Sequence, residues 1–133
     1  MGAFEQMNKY VVVMLGGGVG AVSRFIVATL VARFYSATFP LGTFAINVTG
    51  SFLIGVLMTL FLNRPHIHTN WRLFLVTGIL GGYTTFSSFE WEALATLRGG
   101  TAIVSFVYVG LSVALGLAGV WFGLLVANRL WPH

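Results

Sequence analysis

Between Leu41 and Leu62 the chain runs for 22 residues without a charge, and between Thr101 and Asn128 for 28. A helix needs roughly 20 mostly apolar residues to cross the hydrocarbon layer of a membrane. Both runs therefore read as membrane spans. Only 8% of the 133 residues are charged and 57% are hydrophobic, against about a quarter charged in a soluble domain. The length holds about four or five spans with short connections and leaves no room for a soluble domain.

Two further stretches are apolar but carry charge: Tyr10 to Phe34 contains Arg24, and Leu73 to Leu97 contains Glu90 and Glu92. Read as spans, they complete an all-α membrane protein of four transmembrane helices in a single domain over residues 1–133, with spans at about 10–34, 41–62, 73–97 and 101–128. Lys9 ahead of an apolar run mimics a signal peptide, but no A-x-A-like cleavage site follows, so the run is read as a retained first span. Connections as short as Ser36 to Pro40 and Arg98-Gly99-Gly100 require the spans to form one bundle.

The absence of cysteine excludes disulfides and thiolate chemistry. Seven Lys or Arg against three acidic residues give a net charge of +4, but the basic residues are scattered singly between apolar stretches. That pattern anchors helices at a membrane interface and does not make a nucleic-acid surface. In a four-span arrangement Lys9, Arg64, Arg72 and Arg129 fall on the side of the termini and Arg33 and Arg98 on the other. So weak a bias permits insertion in both orientations, and hence an antiparallel homodimer. His66 and His68 lie in a polar loop without a third ligand nearby and are read as solvated.

Many of the 17 glycines lie inside spans, among them Gly16, Gly20, Gly55 and the Gly119/Gly123 pair. Small residues let helix backbones approach in lipid, and packing is the reading given to most of them. The Gly16 to Gly20 run lacks the Lys-Ser/Thr that a phosphate loop requires.

Polar groups within a bilayer point to function. Thr43, Asn47 and Ser51 share one face of the second span, and Ser105, Tyr108 and Ser112 one face of the fourth. Interhelical hydrogen bonding is the alternative reading of both stripes. The third span contains Gly81-Gly82-Tyr83-Thr84-Thr85-Phe86-Ser87-Ser88-Phe89. Paired glycines before two threonines predict a helix broken near its middle, whose freed carbonyls need protein, water or a cation. Beyond the break Phe86 and Phe89, at i and i+3, face one way. Spans one, two and four hold no acidic residue, and their polar groups are donors: the Asn47 amide, the hydroxyls of Thr43, Tyr108 and Ser112, and Arg24. This inventory favours an anion, with aromatic edges of Phe86 and Phe89 as weakly electropositive partners. Glu90 and Glu92 weigh against it and are placed at the membrane interface.

The segments Gly20-Ala21-Val22-Ser23-Arg24-Phe25 and Pro40-Leu41-Gly42-Thr43-Phe44-Ala45-Ile46-Asn47, and above all the Gly81 to Phe89 motif, resemble the Fluc fluoride channels, also called CrcB proteins. The resemblance implies a passive, fluoride-selective channel that exports fluoride across the bacterial inner membrane, built as a dual-topology antiparallel homodimer with two pores. By the same resemblance Asn47, Phe86 and Phe89 line the fluoride path, and Tyr108, Ser112, Thr43 and Ser88 are pore or pore-adjacent. Arg24 stands in the vestibule. The carbonyls of Gly81 and Thr84 hold a structural sodium ion that is not transported. Gly116 departs from the family, whose hydroxyl track often continues one turn beyond Ser112. Two other readings remain open: a small proton-coupled multidrug exporter, which needs a carboxylate at the bundle centre, and a non-conducting packing subunit. No catalytic arrangement of His, Asp or Ser occurs in any span, so an enzyme is not expected.

Overall fold

The computed structural model describes residues 2–132, and among these every regular element is helical. A short helix α1 (Ala3–Gln6) precedes α2 (Lys9–Phe34), which starts where the Asn8 side chain accepts the Tyr10 amide at 2.9 Å. Such a cap satisfies one of the donors that a helix start leaves free. Helix α3 (Leu41–Asn63) begins after Pro40 and ends before Pro65, and α4 (Thr69–Arg72) begins at His68. His68 has a concrete role: its Nδ1 accepts the Asn70 amide at 3.2 Å and caps α4.

From α4 the chain continues without interruption through a π-helical segment, Leu73–Leu80, into α5 (Gly81–Tyr83). It then stops being helical at Thr84 and Thr85, and α6 (Phe86–Arg98) resumes beyond them. Both threonines are extended, with ψ of 159° and 119°. Helix α7 (Ala102–Leu130) follows a tight turn in which Gly100 takes φ +84°, a conformation that side chains disfavour.

At 1.5 Å per residue α2, α3 and α7 are about 35–44 Å long, enough to cross a hydrocarbon layer of about 30 Å. These three are apolar as well as long, with mean hydropathy of 1.9 to 2.2 over their best windows. The chain is thus a multi-pass membrane protein. The two halves on either side of Thr84 and Thr85 are each only about 20 Å long by the same rise.

Close backbone approach organises the bundle into two helix pairs, α3 with α7 and α2 with the π segment and α5. A methyl group added at Gly123 would stand 2.9 Å from the Val56 amide nitrogen, and one at Gly16 would stand 2.5 Å from the Phe74 carbonyl oxygen. These glycines therefore serve packing. The ends are tied by side-chain amides. Asn63 donates to the Asn128 side chain at 3.0 Å and to the Trp131 carbonyl at 2.7 Å. Asn70, fully buried, donates to the Phe4 carbonyl at 2.9 Å and holds α1 against the bundle.

Gly123→Ala is expected to destabilise the protein by about 1–3 kcal/mol, the usual cost of overpacking a fitted interface. Gly110→Ala, where a methyl group meets nothing within 4 Å, is expected to cost nothing and to gain up to about 1 kcal/mol of helix propensity. Thermal unfolding of the detergent-solubilised variants checks the contrast.

Candidate functional site

The interruption at Thr84 and Thr85 is stabilised by α3. The Asn47 side chain donates to the Thr85 carbonyl at 2.9 Å and accepts the Thr85 amide at 2.9 Å. One carboxamide thus satisfies both backbone groups of a residue that no helix serves, where an orphan pair would cost several kcal/mol. Thr85 in turn caps α6, its hydroxyl accepting the Ser88 amide at 3.3 Å and donating to the Ser88 hydroxyl at 3.0 Å. Upstream, the Thr84 amide and hydroxyl both donate to the Leu80 carbonyl, at 3.0 and 2.9 Å.

An open groove of about 360 Å³ runs beside the interruption, lined by Asn47, Ser51, Gly81, Thr84, Thr85, Phe86, Phe89 and Ser112 among others. Phe86 and Phe89 have ring centroids 5.8 Å apart at an interplanar angle of 37°. Phe86 is largely exposed on the protomer, at 71%. The Ser112 hydroxyl is buried and has no hydrogen-bond partner among the described residues. Buried polar atoms are nearly always paired, and this one stands unpaired in a residue that lines the groove.

A second cavity, of about 250 Å³, is lined by Tyr35, Phe39, Thr43 and Glu92 and shares no lining residue with the groove. Between the two lies Tyr108, fully buried, its ring 5.2 Å from that of Phe89 and edge-on to Phe39 at 5.4 Å. The Tyr108 hydroxyl donates to Glu92 Oε2 at 2.9 Å, and the Thr43 hydroxyl donates to Glu92 Oε1 at 2.8 Å.

The expected site residues therefore fall into two groups. Asn47, Phe86, Phe89, Ser112, Gly81 and Thr84 converge on the groove, with Ser88 just behind it in the α6 cap. Thr43 and Tyr108 instead meet at Glu92. Arg24 stands apart: it is half-buried, lines neither cavity and makes no hydrogen bond among the described residues. Of the fourth-span stripe, Ser105 is structural, donating to the Ala93 carbonyl at 2.7 Å.

Glu92 lines the second cavity at the end of the bundle where the α2–α3 connection passes, together with Tyr35, Phe39 and Pro40. The carboxylate is half-buried between α3 and α7, whereas Glu90 is exposed. Helical arithmetic explains the difference. Glu92 lies three residues after Phe89 and four after Ser88, so it continues their face, while Glu90 points elsewhere. The same spacing rule applied beyond Phe89 finds Glu92 in the sequence. Thr85 was legible as a helix cap three residues ahead of Ser88.

The family described as "CrcB-like protein, Camphor Resistance (CrcB)" matches residues 11–124 of the chain. A protein of Solibacter usitatus named "Fluoride-specific ion channel FluC" is 50% identical over 121 residues, which cover 91% of this chain and 99% of that one. Proteins of the same name from Acidobacterium capsulatum and Ruminiclostridium cellulolyticum are 44% and 42% identical, over 92% and 95% of this chain and 98% and 97% of their own.

Asn47→Ala removes two hydrogen bonds of about 1 kcal/mol each and leaves the Thr85 backbone unpaired. A loss of about 2–4 kcal/mol in thermal unfolding is expected, with faster amide exchange confined to residues 84–88.

Proposed function

Since the chain belongs to the CrcB-like family, we propose that it is a fluoride-selective channel, through which the ion passes down its own gradient and leaves the cytoplasm. It is not an enzyme. The observation that carries the reading is the groove in which a free Ser112 hydroxyl, the Asn47 amide and the Phe86 and Phe89 rings converge beside a broken helix. Fluoride is small, strongly hydrated and accepts hydrogen bonds only. Replacing its water calls for donors and weakly electropositive ring edges, and binding must stay loose enough for release.

Glu92 contributes to selectivity. With the carboxylate in place, the hydrogens of Thr43 and Tyr108 are committed to it. An anion using those hydroxyls must compete with a carboxylate for them. Fluoride, a strong acceptor, competes; chloride, a weak one, does not. A proton-coupled exporter would need a carboxylate at the bundle centre, whereas Glu92 lies beside the α2–α3 connection. Under that reading flux would follow a pH gradient, whereas the channel conducts without one.

In this proposal the halves flanking Thr84 and Thr85 together make a fourth crossing, and the protein works as an antiparallel homodimer in the inner membrane. The groove supports a partner: Asn47, Ser51 and Ser112 line an open face, and polar groups facing lipid are costly. A second copy related by a two-fold axis covers both grooves at once and gives two pores. Arg24, without a partner among the described residues, lies at a vestibule.

A structural sodium ion fits the residues present. Among the described residues neither the Gly81 nor the Thr84 carbonyl accepts a hydrogen bond, and both residues line the groove. Hard carbonyl oxygens at the C-terminal end of a half-helix suit an alkali cation. Two such oxygens are half a coordination shell, and the second copy would supply the remainder. Gly81 and Thr84 would hold the ion; it would supply only charge neutralisation at the dimer centre.

Purified protein in liposomes is expected to release fluoride but not chloride without a pH gradient, and Asn47→Asp and Phe86→Ile are each expected to slow release at least about tenfold, the effect of about 1.4 kcal/mol on the barrier. A fluoride electrode reads the result; equal chloride release, or wild-type rates in both variants, contradicts the assignment. Replacing sodium by a large organic cation on both sides is expected to abolish flux, and undiminished flux would remove the sodium ion from the account.

A further inference from the structure

Tyr83 is the last residue of α5, directly ahead of the interruption, and nothing in the account above uses its side chain. Its hydroxyl lies 3.0 Å from the Thr49 hydroxyl on α3. Thr49 already directs its own hydrogen at the Ala45 carbonyl, 2.7 Å away, so the tyrosine is the donor and the threonine the acceptor. The Tyr83 ring lies against Gly50, where a methyl group would stand 3.5 Å from Cδ1 and would collide with the Thr84 side chain. On the other side α2 comes close to the same backbone: a methyl group at Gly20 would stand 2.9 Å from the Tyr83 amide nitrogen.

Helix α3 therefore grips the interruption at two points. Asn47 holds its downstream side through Thr85, and Thr49 holds its upstream side through Tyr83. Along the chain Thr84 lies between these two anchors, and Gly81 lies two residues ahead of Tyr83 in the same turn. On α3 the downstream anchor is made of two hydrogen bonds to backbone, whereas the upstream one is a single hydroxyl pair. Losing that pair leaves the last turn of α5 held by its packing on α2 alone, while Thr85 keeps both of its bonds to α3.

We propose that Tyr83 is a positioning residue for an alkali-cation site: its hydroxyl, held by Thr49, fixes where the Gly81 and Thr84 carbonyls stand and so sets how tightly they bind sodium. The proposal rests on the sodium reading above. A cation bound by carbonyls tolerates little displacement, because the oxygens must replace its water at fixed distance. Loss of one net hydrogen bond's worth of order corresponds to a weakening of about fivefold.

The test is sodium-dependent thermal protection of the purified protein in detergent, titrated for the parent, Tyr83→Phe, Thr49→Val and the double variant. The concentration giving half-maximal protection is expected to rise about fivefold in each single variant and no further in the double, since both remove the same bond. Excess sodium is expected to restore fluoride release in liposomes, which a general loss of folding would not permit. A parent-like midpoint in both single variants, or additive shifts in the double, overturns the role of the Tyr83–Thr49 pair while leaving the sodium site standing. Absence of sodium protection in the parent itself overturns the sodium reading and this proposal with it.

Discussion

A helix interrupted inside an apolar bundle leaves backbone groups that its neighbours must satisfy, and the rest of this molecule is arranged around where those groups find partners. The Asn47 carboxamide meets both polar groups of Thr85 at 2.9 Å each. That single side chain fixes the start of α6, and with it the direction of Phe86, Phe89 and Glu92. Because these residues follow one another along one face, placing Thr85 places the whole line. The α3 helix can do this only because its own position is set by close approach to α7, where Gly55 and Gly123 allow backbone contact.

The interruption also separates charge along the bundle. The end of α5 presents carbonyls and the start of α6 presents amides, so a cation and an anion are favoured at neighbouring points. Gly81 and Thr84 lie on the carbonyl side and Phe86 and Ser88 on the amide side. A continuous helix would cancel this by pairing every carbonyl with an amide. Were the proposed sodium ion held on the carbonyl side, it would raise the local potential beside the groove, which itself is lined by no basic residue.

Much of this was legible in the sequence, and the reasons are specific. Uncharged runs of sufficient length mark α3 and α7, and paired glycines before two threonines mark the interruption. The face shared by Thr43, Asn47 and Ser51 was also readable, but its partners were not. Which group a buried donor meets depends on another helix's rotation. Asn47, read as a pore donor, is first a backbone clamp; one of its two amide hydrogens is committed to Thr85. Thr43 and Tyr108 were read as free donors and are both bound to Glu92. The spacing from Phe89 is what turns Glu92 toward them. The π-helical geometry of Leu73–Leu80 had no visible signal, because an uncharged run with Thr77 as its one polar side chain reads as an ordinary span.

Placing a carboxylate beside an anion path looks self-defeating, since like charges repel. The two hydroxyls resolve it. Alone, Thr43 and Tyr108 would present unpaired donors in a region short of water, a cost of about 1–3 kcal/mol each. Glu92 satisfies both when no ion is present, and the deep burial of Tyr108 against Phe39 and Phe89 holds the geometry. Donors kept paired in this way are available only to a ligand that matches a carboxylate oxygen as an acceptor. Open donors would bind any small anion, and would bind it too firmly to let it go; guarded donors exchange one strong acceptor for another at little net cost. In the proposed channel, selectivity and rapid release would then follow from the same pair of hydrogen bonds.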